Sequence, residues 1–166
     1  MKLLLGSGVL PIQGWITLDA EAKHHPEIVA RVPPLPDEVK AEQWDAIMAV
    51  HMLEHLSYQD ALQLVGECYE VLRPGGELIL EVPNVKYCMR VVLGLENPPT
   101  DEDRWGMGSI YGYPYELGEL NGHKWGYWPE SLMEMVVLSG FEREKVVTGR
   151  AKYHEAVRDF RLVAVK

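Results

Sequence analysis

The stretch from Trp44 to Asn84 constrains this chain more than any other. It opens with the apolar run Ala46-Ile47-Met48-Ala49-Val50 and passes through His51-Met52-Leu53-Glu54-His55-Leu56 to Ser57. A short apolar run between polar flanks is the pattern of a strand buried on both faces. Ser57 with Asp60 three residues later marks a helix start. Leu62, Val65, Tyr69 and Leu72 then recur at helical spacing and supply one apolar face. Pro74-Gly75-Gly76 stops the helix, and Leu78, Ile79, Leu80 and Val82 make a second buried strand. A strand–helix–strand unit of this length closes as a right-handed crossover with its two strands parallel. The chain is therefore read as α/β.

Leu53-Glu54-His55, then Val71-Leu72-Arg73-Pro74-Gly75-Gly76, then Val82-Pro83-Asn84, at this spacing, resemble the central part of class I S-adenosylmethionine-dependent methyltransferases. More narrowly, they resemble the small type 11 group. Leu3-Leu4-Leu5-Gly6-Ser7-Gly8 and Gly14-Trp15-Ile16-Thr17-Leu18-Asp19 are similar to the first two motifs of that group. Gly108 to Gly112, His123 to Gly126 and Leu132 to Phe141 are similar to its C-terminal part. The resemblance implies a Rossmann-like, mostly parallel sheet with helices on both faces and a C-terminal antiparallel hairpin. It implies S-adenosylmethionine as cofactor and methyl transfer to a small-molecule or sugar-like acceptor.

Lys2 to Leu5 reads as a first strand, and Gly6-Ser7-Gly8 follows it directly. Glycines there let a backbone approach a ligand closely. Gly14 to Asp19 reads as a second strand ending in an acid, where such folds hold a ribose diol. Only 13 positions separate Gly6 from Asp19, against about 20 in a dinucleotide fingerprint. The first crossover helix is therefore expected to be short or missing, Val9 to Gln13 with Pro11 forming a turn. That argues against a dinucleotide. Glu27 to Ala30 is a third strand, and Val32-Pro33-Pro34-Leu35-Pro36 is a loop, because consecutive prolines are excluded from a sheet interior. Where similar proteins carry an acid for adenine, this chain has Ala30-Arg31. The cofactor residues expected on these grounds are Gly6, Ser7, Gly8, Asp19, Leu35, Val50, His51, Met52 and His55.

After the central unit, Val85 to Leu95 reads as a short helix with Tyr87, Val91 and Val92 on one side. Residues 96–128 read as an insertion forming a lid or acceptor site. It is rich in Gly and aromatics, from Trp105-Gly106 to Tyr111-Gly112-Tyr113-Pro114-Tyr115, and too long for a plain connection. Pro129 starts a helix that Gly140 ends. Phe141 to Thr148 and Asp159 to Val165 read as the two final strands, antiparallel to each other.

At 166 residues the chain is read as a single domain spanning its whole length. A formal net charge of -9 disfavours an extended nucleic-acid surface, which needs clustered Lys and Arg. No run is long enough to span a membrane. Cys68 and Cys88 have no metal-type spacing. The apolar start at Met1 to Leu5 is broken by Gly6, Gly8 and Pro11, so it is read as mature structure and the location as cytoplasmic. The oligomeric state stays open.

Methyl transfer from a sulfonium needs little covalent help, because the leaving group is neutral. Holding donor and nucleophile in line supplies most of the rate. His51, His55, His123 and Tyr113 are the candidates for a base or orienting group, with His51, His123 and Tyr113 the catalytic residues expected, His51 standing nearest the C-terminal end of its strand. Two alternatives stand beside this reading. One is a catalytically inactive domain that binds an S-adenosyl ligand. The other is a zinc hydrolase, since His51-Met52-Leu53-Glu54-His55 fits H-x-x-E-H. That motif needs one helix through both histidines, whereas the helix signal comes only at Ser57. No metal is therefore expected.

Overall fold

A computed structural model describes residues 1–10, 12–114 and 118–166. Pro11 and Tyr115, which the sequence analysis singled out, lie outside the described residues. The strands are β1 (Lys2–Leu5), β2 (Ile16–Asp19), β3 (Ile28–Val29), β4 (Trp44–Val50), β5 (Leu72–Pro83), β6 (Val146–Arg150) and β7 (Asp159–Val165). The helices are α1 (Asp37–Lys40), α2 (Tyr58–Val71), α3 (Val85–Val92), α4 (Met107–Tyr111) and α5 (Pro129–Leu138).

The seven strands form one sheet in the order β3-β2-β1-β4-β5-β7-β6. The pairs from β3 to β5 are all parallel, and β7 runs antiparallel to both β5 and β6. Leu5 sits between Leu18 and Ala49 in register, and Val50 faces Glu81. The ends of β1, β2 and β4 therefore open side by side, where open α/β sheets hold ligands.

The main core covers one face. Leu3, Leu5, Ile47, Ala49, Leu78, Leu80, Leu162 and Ala164 point into it from the strands. Val39 of α1, Leu64 and Val65 of α2, and Leu132, Met135 and Val136 of α5 meet them. On the opposite face Leu4, Met48, Val50 and Ile79 form a smaller cluster. It is capped by Leu10, Ile12 and Trp15. The β1–β2 connection thus carries no helix among its described residues, as the short Gly6–Asp19 spacing predicted. Its apolar side chains supply the cover that a crossover helix would give.

Ser57 caps α2 as expected: its hydroxyl accepts the Asp60 N–H at 3.1 Å and donates to the Asp60 carboxylate at 2.7 Å. The buried face is rotated from the expected one. It consists of Ala61, Leu64, Val65, Cys68 and Val71, while Leu62 and Tyr69 are only partly buried. The small Ala61 and Cys68 let the helix lie close to the sheet. The helix also ends earlier than Pro74-Gly75-Gly76, at Val71. Lys166 Nζ caps its last turn, donating to the Glu70 and Leu72 carbonyls at 2.9 and 2.7 Å. The Pro-Gly-Gly run is paired instead with the last residue, through Gly75 N–H to Lys166 O and Lys166 N–H to Gly76 O.

Two smaller expectations shift. In α3 the buried residues are Val85 and Cys88, and Val92 is exposed, because the first turn packs under Gly126 and Tyr127, where the Val85 N–H donates to Tyr127 O at 2.8 Å. The strand expected from Phe141 begins only at Val146. Phe141 drops into the core, edge-on to Tyr69 with ring centroids 4.9 Å apart, and a 3-10 turn at Arg143–Lys145 intervenes.

Two glycines give a paired test of this packing. A Cβ on Gly76 would lie 2.9 Å from the backbone oxygens of both Arg73 and Trp44, whereas one on Gly66 in α2 would meet open space. Gly76→Ala should lower stability by about 1–3 kcal/mol. Gly66→Ala should raise it by about 0.4–1 kcal/mol. Chemical denaturation of both variants checks the pair, and equal effects would contradict the register at the start of β5.

Candidate functional site

β1 ends in a backbone that only glycine tolerates. Gly6 has φ +61, and a Cβ there would fall 2.4 Å from the Met52 Cγ. The chain then turns so that Ser7 N–H donates to Leu18 O at 3.2 Å. Asp19, at the tip of β2, closes the turn from the other side. Its Oδ2 accepts the Gly8 N–H at 2.7 Å and its Oδ1 accepts the Glu21 N–H at 2.8 Å. His24 Nδ1 stands 3.2 Å from Oδ1. Burial pushes the Asp19 carboxyl up, but the two backbone donors and His24 outweigh it and hold the carboxyl below its usual range. Asp19 is therefore ionised. Each oxygen has accepted one backbone hydrogen bond and keeps a further acceptor lone pair.

A cleft of about 410 Å³ opens over these groups, within the size range of nucleoside-sized ligand sites. Gly6, Gly8, Asp19, His51, Met52 and His55 line it, as expected from the sequence. Ser7, Leu35 and Val50 do not. Ser7 is 3% exposed beneath the turn. Leu35 packs in the main core, with its N–H donated to the Glu67 carboxylate at 2.6 Å. Val50 points to the opposite face. The alternation of side chains along a strand decides Val50, and the sequence carried that signal.

The wall beside β2 and β3 is made of Ala30, Arg31, Val32 and Pro33. Ala30 and Arg31 thus occupy the expected adenine side, without an acid. His24, Asp60, Asn121 and Lys124 are among the other polar residues of the lining and were not foreseen. Asp60 was read only as a helix-start acid. Asn121 and Lys124 come from the insertion, whose approach to the strand ends no local pattern encodes.

Of the four candidate proton-transfer residues, His55 lines the cleft with its Nδ1 3.3 Å from Gly122 O, and the other three have other engagements. His51 ends β4 with φ +50 and sits between two carboxylates. Its Nε2 is 2.7 Å from Asp159 Oδ2 and its Nδ1 is 3.1 Å from Glu54 Oε1. Burial pushes its pKa down, but the hydrogen bond to Asp159 and the nearby carboxylate charges of Glu54 and Asp159 outweigh this and raise it to about 9. An imidazolium has no lone pair with which to accept a proton, so His51 is a poor base at neutral pH. His123 Nδ1 faces Ser109 O at 2.9 Å, and burial lowers its pKa. The Tyr113 hydroxyl lies over Gly108 in α4. Neither His123 nor Tyr113 lines the cleft.

The insertion is docked rather than open. Trp105 is 3% exposed, and its Nε1 donates to Thr100 Oγ1 at 2.7 Å. Arg158 Nη1 donates to Arg104 O and to Ser109 Oγ, each at 3.1 Å. Lys124 and Trp125 donate their N–H groups to Glu54 O. The residues that reach the cleft are Leu120, Asn121 and Lys124, not the Trp105–Tyr113 aromatics.

The H-x-x-E-H alternative fails on geometry. His51 stands in a left-handed conformation before a 3-10 turn, Leu53–His55, so no α-helix carries both rings. His51 groups with His154 and Asp159, and His55 with Glu54 and His123.

An S-adenosyl ligand fits what is present. Open space lies above Gly8, next to an ionised carboxylate with free acceptor capacity and a largely apolar wall from Ala30 to Pro33. Residues 14–80 match a family model described as a methyltransferase domain. No curated protein matches the sequence. Among solved structures, the fold is similar to a SAM dependent methyltransferase from Archaeoglobus fulgidus, 15% identical with a TM-score of 0.63. That match covers 99% of this chain and 85% of the other. It is also similar to a methyltransferase from Mesorhizobium loti, 14% identical with a TM-score of 0.63, covering 99% and 90%. Human N-acetylserotonin methyltransferase, solved in complex with SAM, is 15% identical with a TM-score of 0.59, covering 99% of this chain and 47% of that one. A segment of the chain thus matches a methyltransferase domain, and the fold is similar along the whole chain to that of solved S-adenosylmethionine-dependent methyltransferases.

Proposed function

We propose that the chain methylates a small, sugar-like acceptor carrying several hydroxyls, and that positioning rather than proton transfer supplies the rate. The observation that carries this reading is the composition of the cleft beyond Asp19. Asp60, Asn121 and Lys124 offer hydrogen-bond donors and acceptors suited to hydroxyls. Beside Lys124, the rings of Tyr58 and Trp125 lie 5.2 Å apart, and Trp125 is 45% exposed. The two rings line a neighbouring hollow that shares Lys124 with the cleft, and an exposed indole there offers a flat apolar surface with a polar edge to an acceptor that reaches past Lys124.

The bound cofactor supplies an electrophilic methyl group whose departure leaves a neutral thioether. The chain's own residues bind and orient. Asp19 holds the ribose side, and Ala30 to Pro33 flank the adenine. The 120–124 edge of the insertion closes the acceptor side. With His51 held as an imidazolium between Asp159 and Glu54, that residue cannot serve as the base. A hydroxyl acceptor gives up its proton late, as the methyl group arrives, so in-line positioning carries most of the rate.

Asp19→Ala should weaken S-adenosylhomocysteine binding about tenfold to a hundredfold, taking about 1.5–3 kcal/mol for a charged hydrogen bond and about 1.4 kcal/mol per decade. It should also lower stability by about 1–3 kcal/mol, because the Gly8 and Glu21 N–H groups lose their acceptor. Calorimetry and thermal melting on the one variant read both effects. Unchanged affinity with a lowered melting temperature would make Asp19 a turn residue only.

Trp125→Ala should raise the acceptor KM while leaving the affinity for S-adenosylhomocysteine within about twofold. Radiolabelled methyl transfer to a panel of monosaccharides, nucleosides and phenols identifies the acceptor class. Cofactor binding with no transfer to any of them would favour an inactive S-adenosyl-ligand domain. Transfer to phenols alone would remove the sugar-like acceptor.

A further inference from the structure

Glu54 is a buried carboxylate with too few partners. Its side chain is 2% exposed, and neither of its oxygens has an aligned hydrogen-bond donor. The nearest charged group, His51 Nδ1, is 3.1 Å away but lies outside hydrogen-bonding alignment. A buried carboxylate in that condition is costly, and such an orphan is accounted for by water or by an ion. The Tyr127 hydroxyl is a second orphan, buried and without a partner. It is close enough that, after burial, the Glu54 charge is the next influence raising the phenol's pKa.

Two histidines complete the surroundings. His55 lies on the same 3-10 turn, and His123 comes from the insertion. One donor atom from each of Glu54, His55 and His123 lies within 4.8 Å of the others, and the two rings meet edge-on with centroids 4.8 Å apart. Each ring already has its Nδ1 against a backbone carbonyl. His55 Nδ1 is 3.3 Å from Gly122 O, and His123 Nδ1 is 2.9 Å from Ser109 O. A carbonyl accepts only from N–H, so both rings take the tautomer that leaves Nε2 with its lone pair. This is the outer support that metal-ligating histidines characteristically have.

The neighbouring group of His51, His154 and Asp159 differs in kind. The Arg158 guanidinium already fills it, with Nη2 3.1 Å from His154 Nδ1 and 2.8 Å from Asp159 Oδ2. A second cation has no place there. At Glu54, among the described residues, no guanidinium or ammonium is bonded, and the His51 imidazolium stands against one oxygen only, Oε1 at 3.1 Å.

We propose that Glu54, His55 and His123 bind one divalent transition-metal ion of the zinc type on the acceptor side of the cleft. Two imidazoles and one carboxylate are a donor set that zinc takes up, leaving a position for water or ligand. Zinc–donor bonds of about 2.0–2.1 Å draw the three groups closer together than they stand here. His55 also lines the cleft, so the open position faces the acceptor. The sequence reading expected no metal because it tested only the helical His51–His55 pairing. The donor set here omits His51 and recruits His123, 68 positions downstream of His55.

The test uses the full chain without a histidine tag, freed of metal by chelation and without cofactor, so it does not depend on methyl transfer. Zinc calorimetry should show one ion per chain, bound at micromolar concentration or tighter. Binding should fall by at least about tenfold in His123→Ala and in Glu54→Gln, and should persist in His154→Ala. Cobalt added to the parent should give the intense visible absorption of a four- or five-coordinate site, and His123→Ala should abolish it. If Glu54→Gln does not fold, the cobalt spectra of the parent and His123→Ala decide. No uptake of either metal by the parent at millimolar concentration would overturn the site and leave water as the partner of Glu54 and Tyr127. Binding that survives His123→Ala unchanged would overturn it as well.

Discussion

One buried carboxylate holds the working end of the sheet together. The Asp159 side chain, fully buried at the start of β7, takes Arg158 Nε at 2.5 Å and Nη2 at 2.8 Å, with His51 Nε2 at 2.7 Å. Through Arg158 the same charge reaches the Arg104 carbonyl and the Ser109 hydroxyl. Three parts of the chain far apart in sequence, the end of β4, the insertion and the final hairpin, are thus fixed to one another. Burial works against the Asp159 charge, but hydrogen bonds from His154, His51 and Arg158 hold its pKa far below the usual range. Breaking such a buried pair costs about 3–5 kcal/mol, enough to make the site's geometry depend on it.

The central strand–helix–strand unit was legible because its signals are local. The run before His51 is apolar, Ser57 and Asp60 cap a helix, and Pro74-Gly75-Gly76 cannot continue one. The shortened β1–β2 connection was legible for the same reason, as a count of residues between Gly6 and Asp19. What was not legible depends on contacts across the fold. The rotated face of α2 follows from how close Ala61 and Cys68 can bring the helix to the sheet. The pairing of Lys166 with the Gly75-Gly76 turn joins the two ends of a long chain segment.

The site divides along the same line. Gly6, Gly8 and Asp19 lie next to strand ends that the sequence marks, and they meet in the cleft. Asp19 proves more structural than a strand-tip acid suggests, since it binds both the glycine turn and the following loop. His51 was placed correctly at a strand end, yet its protonation is set by Glu54, three residues on, and by Asp159, 108 positions away. No spacing rule reveals that. The loop from Gly6 to Trp15 has a further consequence. Leu10, Ile12 and Trp15 cover the second face without a helix among the described residues, so the Gly6–Gly8 side of the cleft is bounded by a short turn and relies on Asp19 to hold its shape.

The central claim is that the turn at Gly6 and Gly8, closed by Asp19, seats the S-adenosyl cofactor. A crystal structure of the protein with S-adenosylhomocysteine tests it most directly. The account predicts the ribose hydroxyls within hydrogen-bond distance of the Asp19 carboxylate and the adenine along Ala30 to Pro33. The ligand bound elsewhere, or the ribose facing away from Asp19, would contradict it.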